Sequence, residues 1–453
     1  MRQLLESTLA RATRYLEDLQ TRRVFPSAEA VADLTELGGA LPEHPEPSEQ
    51  VLERLDRFGS PATTATAGPR YFGFVTGGAL PATLAANWMA GAWDQMSGLK
   101  VASPVAVALE QAVIPWLLDV LGLGSRTAVG FVTGATMANF TGIAAARHAV
   151  LARHGWHVGK QGLFGAPEMR VVVGDEVHVS LLKALSLLGL GRDRVERVPV
   201  DAQGRMRVES MPRLDADTLV CIQAGNVNSG AFDPAQEICA AAREAGAWVH
   251  VDGAFGLWAL ASPQRAHLAR GVADADSWAA DAHKWLNVPY DSGLVFCRHP
   301  EHLMSAMSAQ DAAYLITSAD RDPTDLVPEM SRRARGIEIW AAMRSLGRSG
   351  LAELIERNCR QAARFAEGLE AAGYEILNEV ELNQVMVSFG DGDITDAVTA
   401  GVQEDGTCWC GGTVWQGRSA MRISVSSWAT TDADVERSLE CIIRVADGLM
   451  GYP

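Results

Sequence analysis

From about residue 80 onward, short apolar runs of strand length alternate with longer helical patterns, and this alternation constrains the fold more than any other feature of the chain. The clearest runs are Val129 to Thr133, Met169 to Val173, Thr218 to Ile222, Ala247 to Val251 and Gly293 to Cys297. Strands separated by helix-length stretches predict a mainly parallel sheet with helices on both faces. In such sheets ligands sit beyond the carboxyl ends of the strands. The residues that directly follow each run are therefore the first place to look for function.

The two ends of the chain read differently. At 453 residues the chain exceeds what one hydrophobic core usually serves. Over 336–372 the pattern is that of long helices, followed by strand-like runs at Gln384 to Phe389 and Met421 to Val425, which predicts a smaller α+β domain over 336–453. Near the start, Leu5, Leu9, Leu16 and Leu19 fall near one face of a helical pattern over 3–22, with charges elsewhere, as for a helix that packs on a partner surface. Pro42, Pro45 and Pro47 then break helix, and a second helical stretch from Val51 to Phe58 stops before Gly59-Ser60-Pro61. An N-terminal helical arm over 1–80 and a large domain over 81–335 complete the expected division.

Composition excludes several function classes. The 39 Lys+Arg against 55 Asp+Glu leave a net charge of -16, which repels a phosphate backbone and an anionic membrane surface, so neither nucleic acid nor membrane is an expected partner. The 7 cysteines are odd in number and scattered, unlike a disulfide framework. Cys408 and Cys410 lack a second pair or nearby histidines, so they read as plain thiols and no metal centre is expected. A stretch containing Glu6, Arg11, Arg14 and Glu17 is not the apolar core of a signal peptide, and no run reaches the ~20 apolar residues of a spanning helix. A cytoplasmic location is expected.

Four short elements follow successive strands. Asp281-Ala282-His283-Lys284-Trp285 places a lysine between a histidine and a tryptophan. His250-Val251-Asp252-Gly253-Ala254 ends an apolar strand on an aspartate followed by small residues, the type of carboxylate that a protonated pyridine nitrogen needs, with Ala254 letting a ring lie close. Thr133-Gly134-Ala135-Thr136 opens a helical run with small residues, where backbone N–H groups attract phosphate and Thr136 adds a hydroxyl. Gly174-Asp175-Glu176-Val177-His178 brings a histidine that can stack on a ring. Taken singly, each has an ordinary reading: an exposed lysine, a turn or capping aspartate, a capping turn, a structural histidine. Taken together, at four strand ends, they suit one phosphorylated pyridine, pyridoxal 5′-phosphate (PLP).

These residues resemble the group II PLP-dependent amino-acid decarboxylases, among them the aromatic-L-amino-acid and glutamate decarboxylases. The resemblance runs from Glu29-Ala30-Val31 and Leu41-Pro42, through Phe72 and Pro81, to Met421-Arg422-Ile423-Ser424-Val425-Ser426, and is most specific at His178, at Asp252 to Ala254, and at His283-Lys284-Trp285. It implies PLP fold type I, aspartate aminotransferase-like, with a mainly parallel seven-stranded sheet in the large domain. It further implies Lys284 as the Schiff-base lysine, Asp252 on the pyridine nitrogen, His178 on the ring face, and Gly134, Ala135, Thr136 and His283 at the phosphate. Asn226 stands where many relatives have threonine near the cofactor, and Phe74-Val75-Thr76 matches a segment that lines the substrate pocket. Tyr71 to Phe74 hint at an apolar or aromatic substrate side chain, ordinary core aromatics being the other reading. Family enzymes are homodimers with the active site at the subunit boundary.

The implied reaction is decarboxylation of an L-amino acid to its amine and CO2, through the Lys284 Schiff base and a quinonoid, with residues 310–330 as the candidate lid. One departure touches it. Many decarboxylases carry a tyrosine in this loop that protonates the carbon after CO2 leaves, and Ser318-Ala319-Asp320-Arg321-Asp322-Pro323-Thr324-Asp325 contains none, although Tyr314 lies just upstream. Oxidative decarboxylation to an aldehyde, aldol cleavage and transamination on the same scaffold are the alternatives, and a non-catalytic dimeric binding protein is a rival of another class.

Overall fold

The computed structural model describes residues 1–308 and 322–450. The chain forms two compact units, one comprising Met1–Thr76, Arg364–Leu377 and residues from Val385 onward, the other Gly77–Ala363 and Asn378–Gln384.

The larger unit, Gly77–Ala363, is built on a seven-stranded sheet. Its strands are β1 (Ala128–Val132), β2 (Arg170–Gly174), β3 (Glu196–Val198), β4 (Thr218–Gln223), β5 (Trp248–Asp252), β6 (Ser277–Asp281) and β7 (Gly293–Cys297), arranged in the order β1-β7-β6-β5-β4-β2-β3. The pairs β2 with β3, β2 with β4, β4 with β5 and β5 with β6 are parallel, while β7 runs antiparallel to both β1 and β6. β1 thus points the same way as β6, and the carboxyl ends of β1, β2, β4, β5 and β6 share one edge. Four of the five inner strands, β4 to β7, are buried at every position, which is why they appear in the sequence as unbroken apolar runs and not as alternating ones.

The helix Ala135–Ala152 lies across this sheet, its Ile143, Ala145 and Ala149 packing in a core that includes Val173, Leu185, Cys221 and Trp248. The expected runs fall on strands within one or two residues, and Gly293–Cys297 coincides. One element escapes the sequence reading: the three-residue edge strand β3 carries too few apolar positions to announce itself. The long helices expected over 336–372 are present, Gly336–Ala371 being divided at Gly347, whose φ of 60° and ψ of -176° only glycine adopts without strain.

The smaller unit contains the N-terminal helices Arg2–Asp18 and Ser48–Gly59, joined by Arg11 to Glu49 and Asp56, both at 3.0 Å. Its core gathers Leu19, Val24, Ala65 and Tyr71. Of the leucines placed on one face, only Leu19 is buried, while Leu5, Leu9 and Leu16 stay exposed. A four-stranded sheet of β8 (Glu375–Ile376), β9 (Gln384–Ser388), β10 (Gly411–Trp415) and β11 (Arg418–Ser424) packs with the helices Gly392–Asp405 and Asp432–Met450, giving the α+β character expected of the C-terminal part. Arg70 is fully buried here, donating to the carbonyls of Gln20 and Thr407 and pairing with Asp434 at 3.1 Å. All 7 cysteines are buried free thiols.

Candidate active site

The lysine is delivered by a heavily pinned segment. β6 ends on Asp281, whose N–H donates to Ala254 (2.8 Å) and whose carbonyl accepts from the buried Trp258 indole (2.9 Å). Downstream, the Trp285 indole is fully buried and donates to Asn358 at 3.0 Å. Between these anchors Lys284 projects from the sheet edge, its Nζ 3.2 Å from Oδ2 of Asp281. The backbone of Gly77 passes so near that a Cβ there would lie 1.8 Å from the Lys284 carbonyl oxygen, so no residue with a side chain fits.

Beside the lysine stands the start of the helix Ala135–Ala152. Its N-cap is Gly134, which has no side chain to satisfy the first-turn N–H groups. One of these, from Ala135, donates to Asp281 Oδ1 at 2.5 Å. The remaining first-turn groups, with the positive end of the helix dipole, form a ready anion site. Gly134 is also a close approach, since a Cβ there would sit 3.1 Å from His283 and 3.2 Å from Asp281. His283 is fixed on three sides: its Nδ1 accepts from the Ser292 N–H at 3.0 Å, its Nε2 faces Asp281 at 3.4 Å, and its ring stacks on Tyr290 with centroids 4.2 Å apart. Burial lowers its pKa, against the opposing pull of Asp281, and because Nδ1 accepts from Ser292 the neutral form of the ring carries its proton on Nε2. The Ser292 hydroxyl is buried with no hydrogen-bond partner among the described residues, which leaves a donor available at this place.

At the end of β5, Asp252 is buried and accepts from Asn139 Nδ2 at 3.0 Å and from the Ala254 N–H at 3.3 Å. His178 caps the helix Val179–Leu187, accepting from the Ser180 N–H and meeting the Ser180 hydroxyl at 2.7 Å, which sets the plane of its ring. Asn226, after β4, spends its side-chain oxygen on the N–H groups of Asn228 (2.9 Å) and Ser229 (3.2 Å), so its role inside the protein is to shape this turn.

Gly134, Ala135, Thr136, His178, Asn226, Asp252, Ala254, His283 and Lys284 thus all follow strands that end at the same sheet edge. Phe74, Val75 and Thr76 belong to the other unit, where Phe74 is exposed and tilts onto Trp409 at 5.5 Å, with Tyr71 stacked on the same indole at 5.0 Å. Tyr314 and the loop residues Ser318 to Arg321, with most of the span 310–330, lie outside the described residues. Asp281, Asn139 and Ser292 were not singled out by sequence. Asp281 offered the one available signal, its place three residues before Lys284 at a strand end.

A carboxylate, a lysine, an uncapped helix start flanked by a glycine, and an orphaned buried hydroxyl are the groups that a phosphorylated pyridine aldehyde requires, and the residues present fit PLP.

Residues 32–390 match the model of the pyridoxal-dependent decarboxylase conserved domain. The chain is 27% identical over 379 residues to tryptophan decarboxylase 1 of Oryza sativa subsp. japonica, covering 78% of this chain and 73% of that one. It is 25% identical over 399 residues to the aromatic-L-amino-acid decarboxylase of Bacillus atrophaeus, covering 85% and 81% respectively. Among solved structures, that of Oryza sativa TDC with PLP and tryptamine superposes with a TM-score of 0.89 at 24% identity, over 99% of this chain and 98% of that one, which shows the same fold.

Proposed function

Because the chain belongs to the pyridoxal-dependent decarboxylase family and is a PLP-dependent carboxy-lyase acting on an amino acid, we propose an aromatic L-amino acid as its substrate, with Lys284, Asp252 and His178 as the catalytic residues. The observation that carries the assignment of residues is the shared sheet edge, where Asp252, Lys284 and the uncapped helix start come from the carboxyl ends of β5, β6 and β1. The aromatic preference is supported by relatives named for tryptophan and for aromatic L-amino acids, and by Tyr71 and Phe74 meeting the Trp409 indole within their own unit.

When bound, PLP supplies an electron sink for the pair released as a carboxylate leaves the α-carbon. The chain's own residues do the rest. Lys284 would hold the cofactor covalently through Nζ until a substrate amine displaces it. Asp252 would keep a proton on the ring nitrogen, and the helix start at Ala135, together with His283 and the Ser292 hydroxyl, would hold the phosphate. His178, oriented by Ser180, is the residue we assign to the ring face and to moving a proton to the α-carbon, since Ser318 to Asp325 contain no tyrosine.

We further propose a homodimer working in the cytoplasm. Leu5, Leu9 and Leu16 on the helix Arg2–Asp18 and Val51 and Leu55 on the helix Ser48–Gly59 are large apolar side chains left exposed, and a second copy of the chain is the partner that would cover them.

The test is a substrate screen of PLP-loaded protein against the common L-amino acids, under air and under nitrogen, with CO2 and products measured and Lys284→Ala as the control. Stoichiometric CO2 and aromatic amine in both atmospheres is the expected result. Oxygen-dependent aldehyde and ammonia would replace the amine-forming reading with the oxidative one.

A further inference from the structure

Behind Asp252 lies a buried polar chain that nothing in the reaction yet uses. Trp248, His250 and Asp252 alternate along β5 and so share one face. His250 is paired in register with Ser277 on β6, and the helix Ala135–Ala152 covers both with Asn139. Gly142, on the same helix, makes the space: a Cβ there would lie 2.7 Å from the His250 ring. The links are Trp248 Nε1 to Ser277 Oγ (2.9 Å), Ser277 Oγ to His250 Nδ1 (2.8 Å), His250 Nε2 to Asn139 Oδ1 (2.9 Å) and Asn139 Nδ2 to Asp252 Oδ2 (3.0 Å).

The two ends fix the direction of every hydrogen bond. An indole can only donate, so Ser277 accepts from Trp248 and keeps its own proton free to give to His250 Nδ1. A carboxylate accepts, so the Asn139 amide turns its NH2 towards Asp252 and its oxygen towards His250. His250 must then carry its one proton on Nε2, and burial keeps the ring neutral, its pKa pushed down to about 3. All five groups are buried, and every one is satisfied by its neighbours in the chain.

We propose that Asn139 and His250 are positioning residues for the cofactor, delivering through this directed chain the hydrogen bond that holds the Asp252 carboxylate against the ring nitrogen. The inference rests on the reading of Asp252 given above. The Asn139 bond to Oδ2 and the Ala254 bond to Oδ1 together fix the carboxylate plane, so that loss of Asn139 lets the group rotate and loosens its grip on the ring.

The experiment uses PLP labelled with 15N at the ring nitrogen, bound to wild type, Asp252→Asn, Asn139→Leu, His250→Leu and His250→Gln, with PLP affinity measured alongside. In the wild type the ring nitrogen resonates as a protonated pyridinium, and in Asp252→Asn as a neutral pyridine. Asn139→Leu and His250→Leu shift it partway and weaken PLP binding roughly tenfold, the usual cost of one hydrogen bond to a charged group. His250→Gln, which can restore the donor to Asn139, recovers most of both. If Asp252→Asn moves the signal while Asn139→Leu and His250→Leu leave signal and affinity at wild-type values, the positioning role is wrong and the assignment of Asp252 stands. If Asp252→Asn leaves the signal unchanged, the assignment itself falls and the proposal with it. A measurement on wild-type protein without cofactor guards against misfolded variants: 15N-histidine spectra are expected to show His250 protonated on Nε2, and a proton on Nδ1 would overturn the directed chain.

Discussion

The Asp281 carboxylate joins Lys284 to the helix start, with Oδ2 3.2 Å from Nζ and Oδ1 2.5 Å from the Ala135 N–H. One buried acid thus aligns the residue that would hold the aldehyde of the cofactor with the turn that would hold its phosphate. Replacing it with alanine strands a buried N–H and removes the partner of a half-buried ammonium. Asp281→Ala is expected to destabilise the cofactor-free protein by roughly 1–3 kcal/mol, read by chemical denaturation, and to weaken PLP binding in the same preparation.

Lys284→Ala removes the covalent attachment proposed for PLP. Visible absorption of the PLP-treated protein should vanish on desalting, and turnover should fall by roughly three orders of magnitude or more, with the fold unchanged by circular dichroism. Retention of the absorption band would place the attachment elsewhere.

Acid stability should bear the mark of His250. Burial holds its folded-state pKa at about 3, against an ordinary value of 6.5, so below pH 6.5 the unfolded chain binds a proton that the folded one refuses. Its contribution is constant above that value and is lost as pH falls from 6.5 towards 3, with a slope of at most about 1.4 kcal/mol per pH unit. His250→Gln should flatten this part of the curve in denaturation midpoints measured between pH 7 and pH 4.

Arg332 meets Glu110 through both carboxylate oxygens, at 2.8 and 2.9 Å, and both side chains are nearly fully buried. Cutting such a pair on one side leaves an uncompensated charge. Glu110→Ala is expected to cost roughly 3–5 kcal/mol, whereas an apolar pair at 110 and 332 should cost much less. Equal losses in urea melts of the single and double variants would sink this account.

Leu5→Glu together with Leu9→Glu tests the exposed stripe of the first helix. Sedimentation should show wild type as a dimer and the variant shifted towards monomer, with Kd raised at least roughly tenfold by two charges placed in an apolar interface. A wild-type monomer that is fully active would remove the dimer proposal.

The sequence made legible what is local. β4, β5 and β7 are buried on both faces, so their apolar runs are unbroken, and Lys284 and Asp252 stand where two strands visibly end. β3, with three residues at the sheet edge, has no such pattern, and the break at Gly347 hides inside a good helical period. Asn139, His250 and Ser277 escaped notice for another reason. Their meaning arises from the register of β5 on β6 and from the helix laid over them, relations between positions far apart in sequence that no window of residues contains. Ser292 is of the same kind: a serine in a loop looks ordinary until its hydroxyl is found buried without a partner among the described residues.

Gly293 opens β7 directly against Gly134, where a Cβ would come within 2.4 Å of the Gly134 backbone, and Gly134 in turn has His283 at its side. Gly293 cannot change alone, because its Cβ would strike the Gly134 main chain, whereas a Cβ at Gly134 would ask the His283 and Asp281 side chains to give by only about a few tenths of an ångström, so the constraint on this pair sits at Gly293. Directed evolution of this scaffold towards new amino acids would therefore find its freedom away from Gly293, whose place in the floor of the site admits no side chain.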